Sequence, residues 1–399
     1  MKTALAAAAL ILAMASVGGA AAVVEEPADA DRPKVQRRNP LNDPNFVPIM
    51  VNIQNLTNAR IYREAGINVY AGIDDVTTEP KEAWQFKPTA ETLKVLSDLG
   101  MYAIVDQGVW GHLKDNPTIV GWECPVDEPD NVQEGGKAMP LEKFLDVSRK
   151  LKALDPSRPY IVCFGQGVIN DLFKGRGIER SEYPKYMDPV DFIMYDVYPI
   201  TNSRREDGEN YLELTGQGVS RIRQWTANKK PVMCWIETTH IKHPTKAPTP
   251  AQTGCEVWIT MVHGARGVGY FCHDFTLESK RASALSRDKA MLDQLRKTNG
   301  KLVKLAPIIS APLATEPATV KSEGGGRVIA STKKLPGATV VLSVNVLGEK
   351  ARAVIPLAGL TRGARIEVLE EGRTLTAAED GAFADEFAPY QEHVYKLGM

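Results

Sequence analysis

Net charge is almost absent from this sequence, and that absence excludes two classes of partner. The formal net charge is −1 over 399 residues, so overall electrostatics favour neither nucleic acid nor an anionic membrane surface. The densest basic cluster, residues 34–38, lies in a polar stretch and is interpreted as solvated chain. We therefore expect neither nucleic acid nor membrane lipid as a partner.

Cysteine is also scarce, too scarce for a disulfide scaffold. Four of the five cysteines fall on or just after predicted strands, which favours buried free thiols that behave as small apolar side chains. One disulfide stays an alternative because the chain is predicted to be exported. Neither C-x-x-C nor H-x-x-x-H spacing occurs, so no zinc site, and no other metal or cofactor, is expected. The cysteines are Cys124, Cys163, Cys234, Cys255 and Cys272.

The apolar run at the N-terminus is too short for a comfortable membrane span. Lys2 precedes an apolar stretch over residues 4–15, and small residues follow up to Ala22. This order is typical of a secretory signal peptide cleaved after an A-x-A site. We predict a signal peptide over 1–22, a polar leader arm over 23–44, and a mature protein that is secreted or periplasmic, without an integral membrane segment.

Residues 45–304 alternate short apolar runs with helical patterns, which is typical of a parallel α/β fold. Eight strands with helices between them predict a closed (β/α)₈ TIM barrel. The connection after the third strand is short and broken by proline, so that helix is expected to be reduced to a turn. The predicted strands are 47–52, 67–72, 101–106, 119–122, 159–164, 191–196, 231–237 and 267–272. The predicted helices include 59–65, 89–99, 141–154, 216–228 and 249–263.

The pattern changes in residues 305–399, where period-two runs alternate with turn signals such as Gly324 to Gly326. This predicts a small C-terminal antiparallel β-sandwich that packs against the barrel helices. Tyr390 and Tyr395 have the spacing of core residues, so no sugar binding is assigned to the sandwich.

Two glutamates end predicted barrel strands. Glu128 follows the fourth strand within Trp-Glu-Cys-Pro-Val-Asp-Glu-Pro at 122–129, and Glu237 ends the apolar seventh strand at 231–237. Barrel enzymes gather their chemistry at the carboxyl ends of the strands. Two carboxylates brought together there can divide the work of glycoside hydrolysis.

Glu128 is the predicted general acid/base. Pro129 favours an extended backbone at Glu128, and a charge on Asp127 would raise the pKa of a neighbouring acid toward neutrality. The alternative is a capped loop with solvated acids. Glu237 is the predicted nucleophile, because a carboxylate that ends so apolar a run must be satisfied by partners or used. The alternative is a core glutamate paired to a basic residue.

Further polar and aromatic side chains near the strand ends are candidates for binding sugar. A phenol at Tyr198 can hydrogen-bond the nucleophile, whereas Asp196 binds a sugar hydroxyl or caps its loop. Trp235 stacks on substrate or fills the barrel, and Asp74 contributes a subsite or, less favourably, part of a calcium site with Asp75. The candidate substrate-binding residues are Asp127, Tyr198, Asp196, Trp235, His273, Asp274, Trp110 and Asp74.

In these motifs residues 45–275 resemble glycoside hydrolase clan A, the retaining (β/α)₈ glycosidases with the acid/base after strand four and the nucleophile after strand seven. The resemblance implies double displacement through a covalent glycosyl-enzyme. Glu128 would protonate the leaving oxygen and later activate water, and Glu237 would attack the anomeric carbon. Their carboxyl groups would lie roughly 5–5.5 Å apart.

The sequence departs from the clan pattern at three places. Asp127 stands where members usually carry Asn, and the stretches 71–75 and 271–275 lack the Arg and Trp that many members have after strands two and eight. These departures leave the substrate open. The sequence predicts an exported retaining glycoside hydrolase acting on a β-linked oligo- or polysaccharide. The alternatives are a non-catalytic carbohydrate-binding barrel and a transglycosylase that uses the same carboxylates.

Overall fold

The computed structural model describes residues 39–74, 88–132, 136–169, 177–201, 211–276 and 283–398. The predicted signal peptide, the leader arm up to residue 38 with its basic cluster, and Asp75 lie outside these ranges. Within the described ranges, no helix combines the length and the apolar character needed to cross a bilayer.

Eight parallel strands close into a barrel in chain order, and the first pairs with the eighth through Met50 opposite Gly269. The predicted (β/α)₈ fold is confirmed, with most strand boundaries within two residues of the expected ones. Pairing in strict sequence order is what right-handed β–α–β connections produce when the sheet closes. The barrel strands are β1 (Ile49–Gln54), β2 (Val69–Ile73), β3 (Tyr102–Asp106), β4 (Ile119–Glu123), β5 (Tyr160–Phe164), β6 (Phe192–Asp196), β7 (Val232–Glu237) and β8 (Gly267–Phe271).

Helices form the outer layer, and several begin at side chains that satisfy free backbone N–H groups. Thr89 and Thr249 each form a capping box at the start of a helix, and Asp288 accepts from the backbone of Met291. The third connection is one short helical turn, as expected. The helices are α1 (Ala59–Glu64), α2 (Ala90–Asp98), α3 (Gln107–Trp110), α4 (Leu141–Leu154), α5 (Tyr183–Met187), α6 (Leu214–Trp225), α7 (Pro250–Val262), α8 (Lys289–Lys304) and α9 (Ala306–Ser310).

Side chains of the barrel strands alternate between the lumen and the helix layer, as the period of two in a strand requires. On β7, Met233 and Trp235 pack in the lumen, whereas Val232, Cys234 and Ile236 pack in the larger cluster between strands and helices. A lumen filled with side chains is a packed core, so the open end at the strand termini is where a ligand can bind.

The C-terminal residues form two antiparallel sheets, which confirms the predicted sandwich. One sheet has the order β10-β13-β16 and the other β15-β14-β17-β12-β11-β9. The strands are β9 (Leu313–Thr319), β10 (Lys321–Gly324), β11 (Val328–Leu335), β12 (Ala338–Asn345), β13 (Ala351–Pro356), β14 (Arg365–Val368), β15 (Arg373–Thr376), β16 (Ala382–Phe387) and β17 (Glu392–Gly398).

The sandwich packs against the barrel helices, as expected. The Ser331 hydroxyl of β11 donates to the Val262 carbonyl at the end of α7 over 2.6 Å, and the Cys255 thiol of α7 contacts the Asn345 carbonyl of β12 at 3.4 Å. All five cysteines are free thiols, four of them buried, in agreement with their predicted packing role.

Candidate active site

Acidic side chains gather where the barrel strands end. Asp106 ends β3, Glu123 ends β4 and Asp196 ends β6, while Asp127 and Glu128 follow β4 in the next loop. Burial and mutual repulsion raise the pKa of several of these carboxyl groups, so they form one electrostatically connected group at the mouth of the barrel. Among the residues that the structure describes, no cluster of three or more potential ligands is arranged to hold a metal ion.

Glu128 is held by a tight turn. Its backbone carbonyl accepts from the Asn131 amide over 2.9 Å, and its Oε2 accepts from Asn131 Nδ2 over 2.5 Å. The backbone φ of Glu128 is +45°, in the left-handed region. The extended conformation expected from Pro129 is therefore wrong, because the turn closed by Asn131 outweighs the preference that proline imposes.

Asp196 is the carboxyl group that meets Glu128. Burial and the adjacent Glu128 charge raise the pKa of Asp196 well above its usual range, and the two side chains are hydrogen-bonded. Two carboxyl groups in contact share one proton, because they cannot both ionise at low cost. Asp196 Oδ1 is buried and finds no hydrogen-bond partner in the described structure, so this atom is the one a ligand can satisfy.

Two further acidic residues of the mouth have raised pKa values, and one of them was missed by the sequence analysis. Glu123 was not singled out, yet burial, with the charges of Asp127 and Asp106, raises its pKa to about 8. Asp127 is open to solvent on one side, but the protein around it and the Glu128 charge raise its pKa to about 7. The sequence did contain a signal for Glu123, because this residue directly follows the predicted strand 119–122 and is the last residue of β4 in the structure.

Asp130 supports this loop from beneath and was also missed. It is buried, and its oxygens accept from the Gly165 backbone over 2.9 Å and from the Tyr183 hydroxyl over 2.6 Å. Burial and the Glu128 charge raise the pKa of Asp130 to about 7. A Cβ on Gly165 would lie 2.9 Å from Glu128 Oε2, so this glycine leaves the room that the Glu128 carboxylate occupies.

Glu237 is placed differently from its expected position opposite Glu128. Its side chain is 0% exposed, and its oxygens accept from Ile200 N over 2.7 Å, Thr201 N over 2.9 Å and Thr201 Oγ1 over 2.5 Å. Its remaining neighbour is Glu256 of α7, so the carboxylate faces the outer layer and the segment after β6. The physical reason is that a buried carboxylate turns toward donors. Among the described residues, no basic side chain pairs with Glu237, and the nucleophile role stays a prediction.

Tyr198 and Trp235 line the lumen below the acidic residues. Tyr198 is buried, and its ring lies 5.2 Å from that of Phe271. Burial raises the pKa of the Tyr198 phenol, and the Asp196 charge raises it further. Among the hydrogen bonds of the described residues, none joins this phenol to Glu237. The Trp235 ring packs against Gly269 in the lumen, and substrate stacking by this ring stays a prediction.

His273 belongs to an aromatic group that follows β8. Its Nε2 contacts Asn52 Oδ1 at 2.8 Å, and its ring stacks at 5.9 Å on Phe275. Phe275 is 44% exposed, and Lys242 Nζ lies 5.8 Å from its ring centre. Phe275 is thus an exposed aromatic side chain that follows β8, of the kind that can contact the apolar face of a sugar.

The three remaining candidates for binding sugar are Asp274, Trp110 and Asp74, and the structure places them as follows. Asp274 is buried, and its Oδ1 accepts from the backbone and hydroxyl of Thr276, so it caps a turn. Trp110 ends the short helix α3 and is buried in the cluster between strands and helices, and its contact with substrate stays a prediction. Asp74 directly follows β2, its backbone amide donating to Gln54 O over 3.1 Å.

No family model matches the chain, and no curated protein matches it. Solved structures do. The GH42 β-galactosidase Gan42B from G. stearothermophilus is similar with a TM-score of 0.63 and 9% identity, over 89% of this chain and 98% of that one. An α-amylase from Lactobacillus plantarum gives a TM-score of 0.53 and 13% identity, over 90% and 100%. AmyP, solved with maltose, gives 0.52 and 9%, over 87% and 96%. At such identities the likeness concerns the fold, and it agrees with the barrel and sandwich described above.

Proposed function

We propose that this protein is a glycoside hydrolase in which Glu128 is the general acid/base. The observation that carries the proposal is the carboxyl pair of Glu128 and Asp196, which lie in hydrogen-bond contact at the mouth of a closed β/α barrel. Hydrolysis of a glycosidic bond needs one carboxyl group that gives a proton and one that is ionised. Because burial and the Glu128 charge raise the pKa of Asp196 well above its usual range, the proton of the pair lies on Asp196 in the free protein. In this proposal that proton passes to Glu128 when substrate binds, which leaves Asp196 ionised.

The chemistry assigned to Glu128 has two steps. Glu128 protonates the leaving oxygen as the glycosidic C–O bond breaks, and the resulting carboxylate then takes a proton from the water that releases the sugar. Asn131 Nδ2 at 2.5 Å orients the Glu128 carboxyl group. The pKa values of Asp127 and Asp130, raised to about 7 in each case, mark a site in which carboxyl groups are about half protonated at neutral pH.

In this proposal Asp196 is the nucleophile, and Glu237 is the competing prediction. For Glu237 to attack an anomeric carbon, its three hydrogen bonds from Ile200 and Thr201 would first have to break. Asp196 is already beside Glu128 and has a buried oxygen without a partner among the described residues. Carboxyl groups in direct contact are closer than the roughly 5–5.5 Å of retaining glycosidases, so in this proposal the bound sugar separates Glu128 from Asp196 before attack.

The proposed substrate is a β-linked oligo- or polysaccharide. The position of the acid/base after β4 resembles clan A, and the similar structure Gan42B is a β-galactosidase. The amylases among the similar structures act on a different class of linkage, so a test must include both. We further propose export, since residues 1–22 have the order of a signal peptide; N-terminal sequencing of the mature protein tests the cleavage after Ala22.

The test is turnover of aryl glycosides and of β-linked glucans, galactans, xylans and mannans, with α-linked glucans alongside, by wild type, Glu128→Ala, Asp196→Ala and Glu237→Ala. Asp98→Asn is the matched control, because Asp98 is a surface carboxylate with 60% side-chain exposure. We expect Glu128→Ala and Asp196→Ala to lose at least about 10³-fold in kcat. Azide should rescue Asp196→Ala to a glycosyl azide of inverted configuration, and Glu128→Ala to one of retained configuration.

Other outcomes separate the alternatives. Tight sugar binding without turnover by wild type would favour a carbohydrate-binding barrel. Transfer products that exceed hydrolysis products at low acceptor concentration would favour a transglycosylase. Full activity of Glu128→Ala on every substrate would overturn the proposal.

A further inference from the structure

Helix α7 carries an acidic residue in the interior of the protein. Glu256 is 0% exposed, and neither of its carboxyl oxygens accepts a hydrogen bond from a described donor. An ionised carboxylate without donors in such a place would cost several kcal/mol. The group beside it is the carboxylate of Glu237.

The two carboxyl groups differ in what surrounds them. Glu237 accepts three hydrogen bonds from Ile200 and Thr201, and such donors stabilise the ionised form. Among the described residues, Glu256 has no donor comparable to those of Glu237, and the polar group beside it is Glu237 itself, so Glu256 is the member that keeps a proton. A protonated carboxyl group has one O–H donor, and the acceptor within reach is Glu237.

We propose that Glu256 is a positioning residue that remains protonated and donates a hydrogen bond to Glu237, so that the pair holds the segment after β6 in place. That segment is Tyr198 to Thr201, and Tyr198 lies in the lumen beside Asp196. The carboxyl pair thus links helix α7, strand β7 and the mouth of the barrel. Only its effect on turnover rests on the proposed function; the shared proton itself does not.

Charged groups on the elements around α7 point elsewhere. On β7 the buried Cys234 thiol lies near Glu256, and its pKa is well above the usual range, so it stays neutral. On α6, Arg223 donates to the His263 carbonyl and to Glu316. On α8, Lys301 Nζ lies 5.4 Å from the ring centre of Trp258.

Three further polar groups lie on α7 or on the sandwich strands that pack against it. On β11, the buried Lys333 Nζ donates to the Ile309 carbonyl over 2.6 Å. His263, at the end of this helix, is buried and has its pKa lowered to about 4 by burial and by Arg223, so it is neutral near pH 7. From the sandwich, Asn345 presents a carbonyl to Cys255 and carries no charge. In the described structure, then, no cation offsets a second negative charge at Glu256.

The sign of the pH dependence follows from linkage. The pKa of Glu256 is raised on folding, by burial first and by Glu237 second, from about 4.3 in an unfolded chain. Its contribution to stability is therefore complete below that value and is lost as the pH rises toward the folded pKa. Each pH unit within this window changes the unfolding constant by up to about tenfold.

The experiment compares wild type with Glu256→Gln and Glu256→Leu in the full chain. Glutamine keeps a donor toward Glu237 and removes the titration, whereas leucine removes both. We expect Glu256→Gln to fold, to lose one protonated-carboxyl carbonyl band in the infrared spectrum at pH 7, and to gain stability relative to wild type as the pH rises from 5 to 9. We expect Glu256→Leu to raise the unfolding constant on the order of a hundredfold. Asp98→Asn is the control for both measurements.

Asp196 and Glu123 also have raised pKa values, so the readout is the infrared difference between wild type and Glu256→Gln at pH 7. A difference spectrum without loss of protonated-carboxyl intensity would overturn the shared proton, as would a stability difference from wild type that does not change with pH. These readouts need no substrate, so they stand apart from any failure of the proposed reaction. If turnover is measurable, Glu256→Gln should keep kcat while Glu256→Leu loses it; equal loss in both variants would overturn the positioning role.

Discussion

Replacing Gly165 by alanine tests the position of the Glu128 carboxylate with little disturbance elsewhere. The backbone of Gly165 has φ −78° and ψ 179°, a conformation that alanine adopts without strain. Its Cβ would lie 2.9 Å from Glu128 Oε2 and 3.0 Å from the Glu128 carboxyl carbon. Since an ordinary contact begins near 3.4 Å, the carboxylate must retreat by about 0.5 Å.

The functional cost of that retreat exceeds the cost in stability. The atom that moves is the end of a flexible side chain, so we expect the free energy of unfolding to change by less than about 1 kcal/mol. Misplacement of a catalytic group by about 1 Å can cost on the order of 10²-fold in rate. We therefore expect kcat/KM of Gly165→Ala to fall about ten- to a hundredfold, through weaker contacts of Glu128 with Asn131 and Asp196.

The assay is kcat/KM on the best aryl glycoside, with thermal unfolding measured on the same samples. The matched control is Gly300→Ala in α8, where an added Cβ meets no atom within 4 Å; it should keep full activity and gain up to about 1 kcal/mol of helix stability. Unchanged activity of Gly165→Ala would refute the placement of Glu128. A large loss of stability would show that the Glu128 side chain cannot move away from the added Cβ.

Three further predictions concern stability. Because the pKa of Glu123 is raised to about 8, mainly by burial, its stabilising effect is lost as the pH rises through that value, and Glu123→Gln should gain on the order of 3–5 kcal/mol relative to wild type between pH 4.5 and 9 in urea unfolding. Tyr183→Phe removes the 2.6 Å donor of buried Asp130 and should cost about 1–3 kcal/mol with a loss of turnover. Ser331→Ala removes the 2.6 Å bond to Val262 between sandwich and barrel and should cost about 1 kcal/mol in calorimetry with turnover unchanged.

Each of these has an outcome that would contradict it. A stability difference between wild type and Glu123→Gln that stays constant with pH would mean that Glu123 is already ionised in the folded protein. Tyr183→Phe with wild-type stability would show that water replaces the hydroxyl. A loss of turnover in Ser331→Ala equal to that in Tyr183→Phe would mean that the sandwich shapes the site, which the contacts do not suggest.

The barrel could be predicted because its signal is local. Apolar runs of five or six residues, separated by helical patterns, describe strands buried on both sides, and boundaries such as those of β6 and α4 fall within a residue of the structure. The burial of the cysteines follows from the same pattern.

The site was harder to predict because its contacts join distant segments. The residues around Glu128 do not predict its contact with Asp196, and those around Glu237 do not predict its contact with Glu256. In each pair the two residues belong to different segments of the chain. Glu256 has the spacing of a helix residue, and its burial arises because its side chain packs against β7, beside Glu237 and Cys234. The backbone of Glu128 differs from expectation for the same reason, since the side chain and backbone of Asn131 close its turn.

The most direct test of the proposed mechanism is to trap its covalent intermediate. The wild-type protein is incubated with a 2-deoxy-2-fluoro glycosyl fluoride of the sugar identified by turnover, and the labelled peptide is mapped by mass spectrometry. The proposal predicts one label per chain on Asp196, absent from Asp196→Asn and retained in the Asp98→Asn control. A label on Glu237 would contradict the assigned nucleophile, and turnover with inversion and no label would contradict double displacement itself.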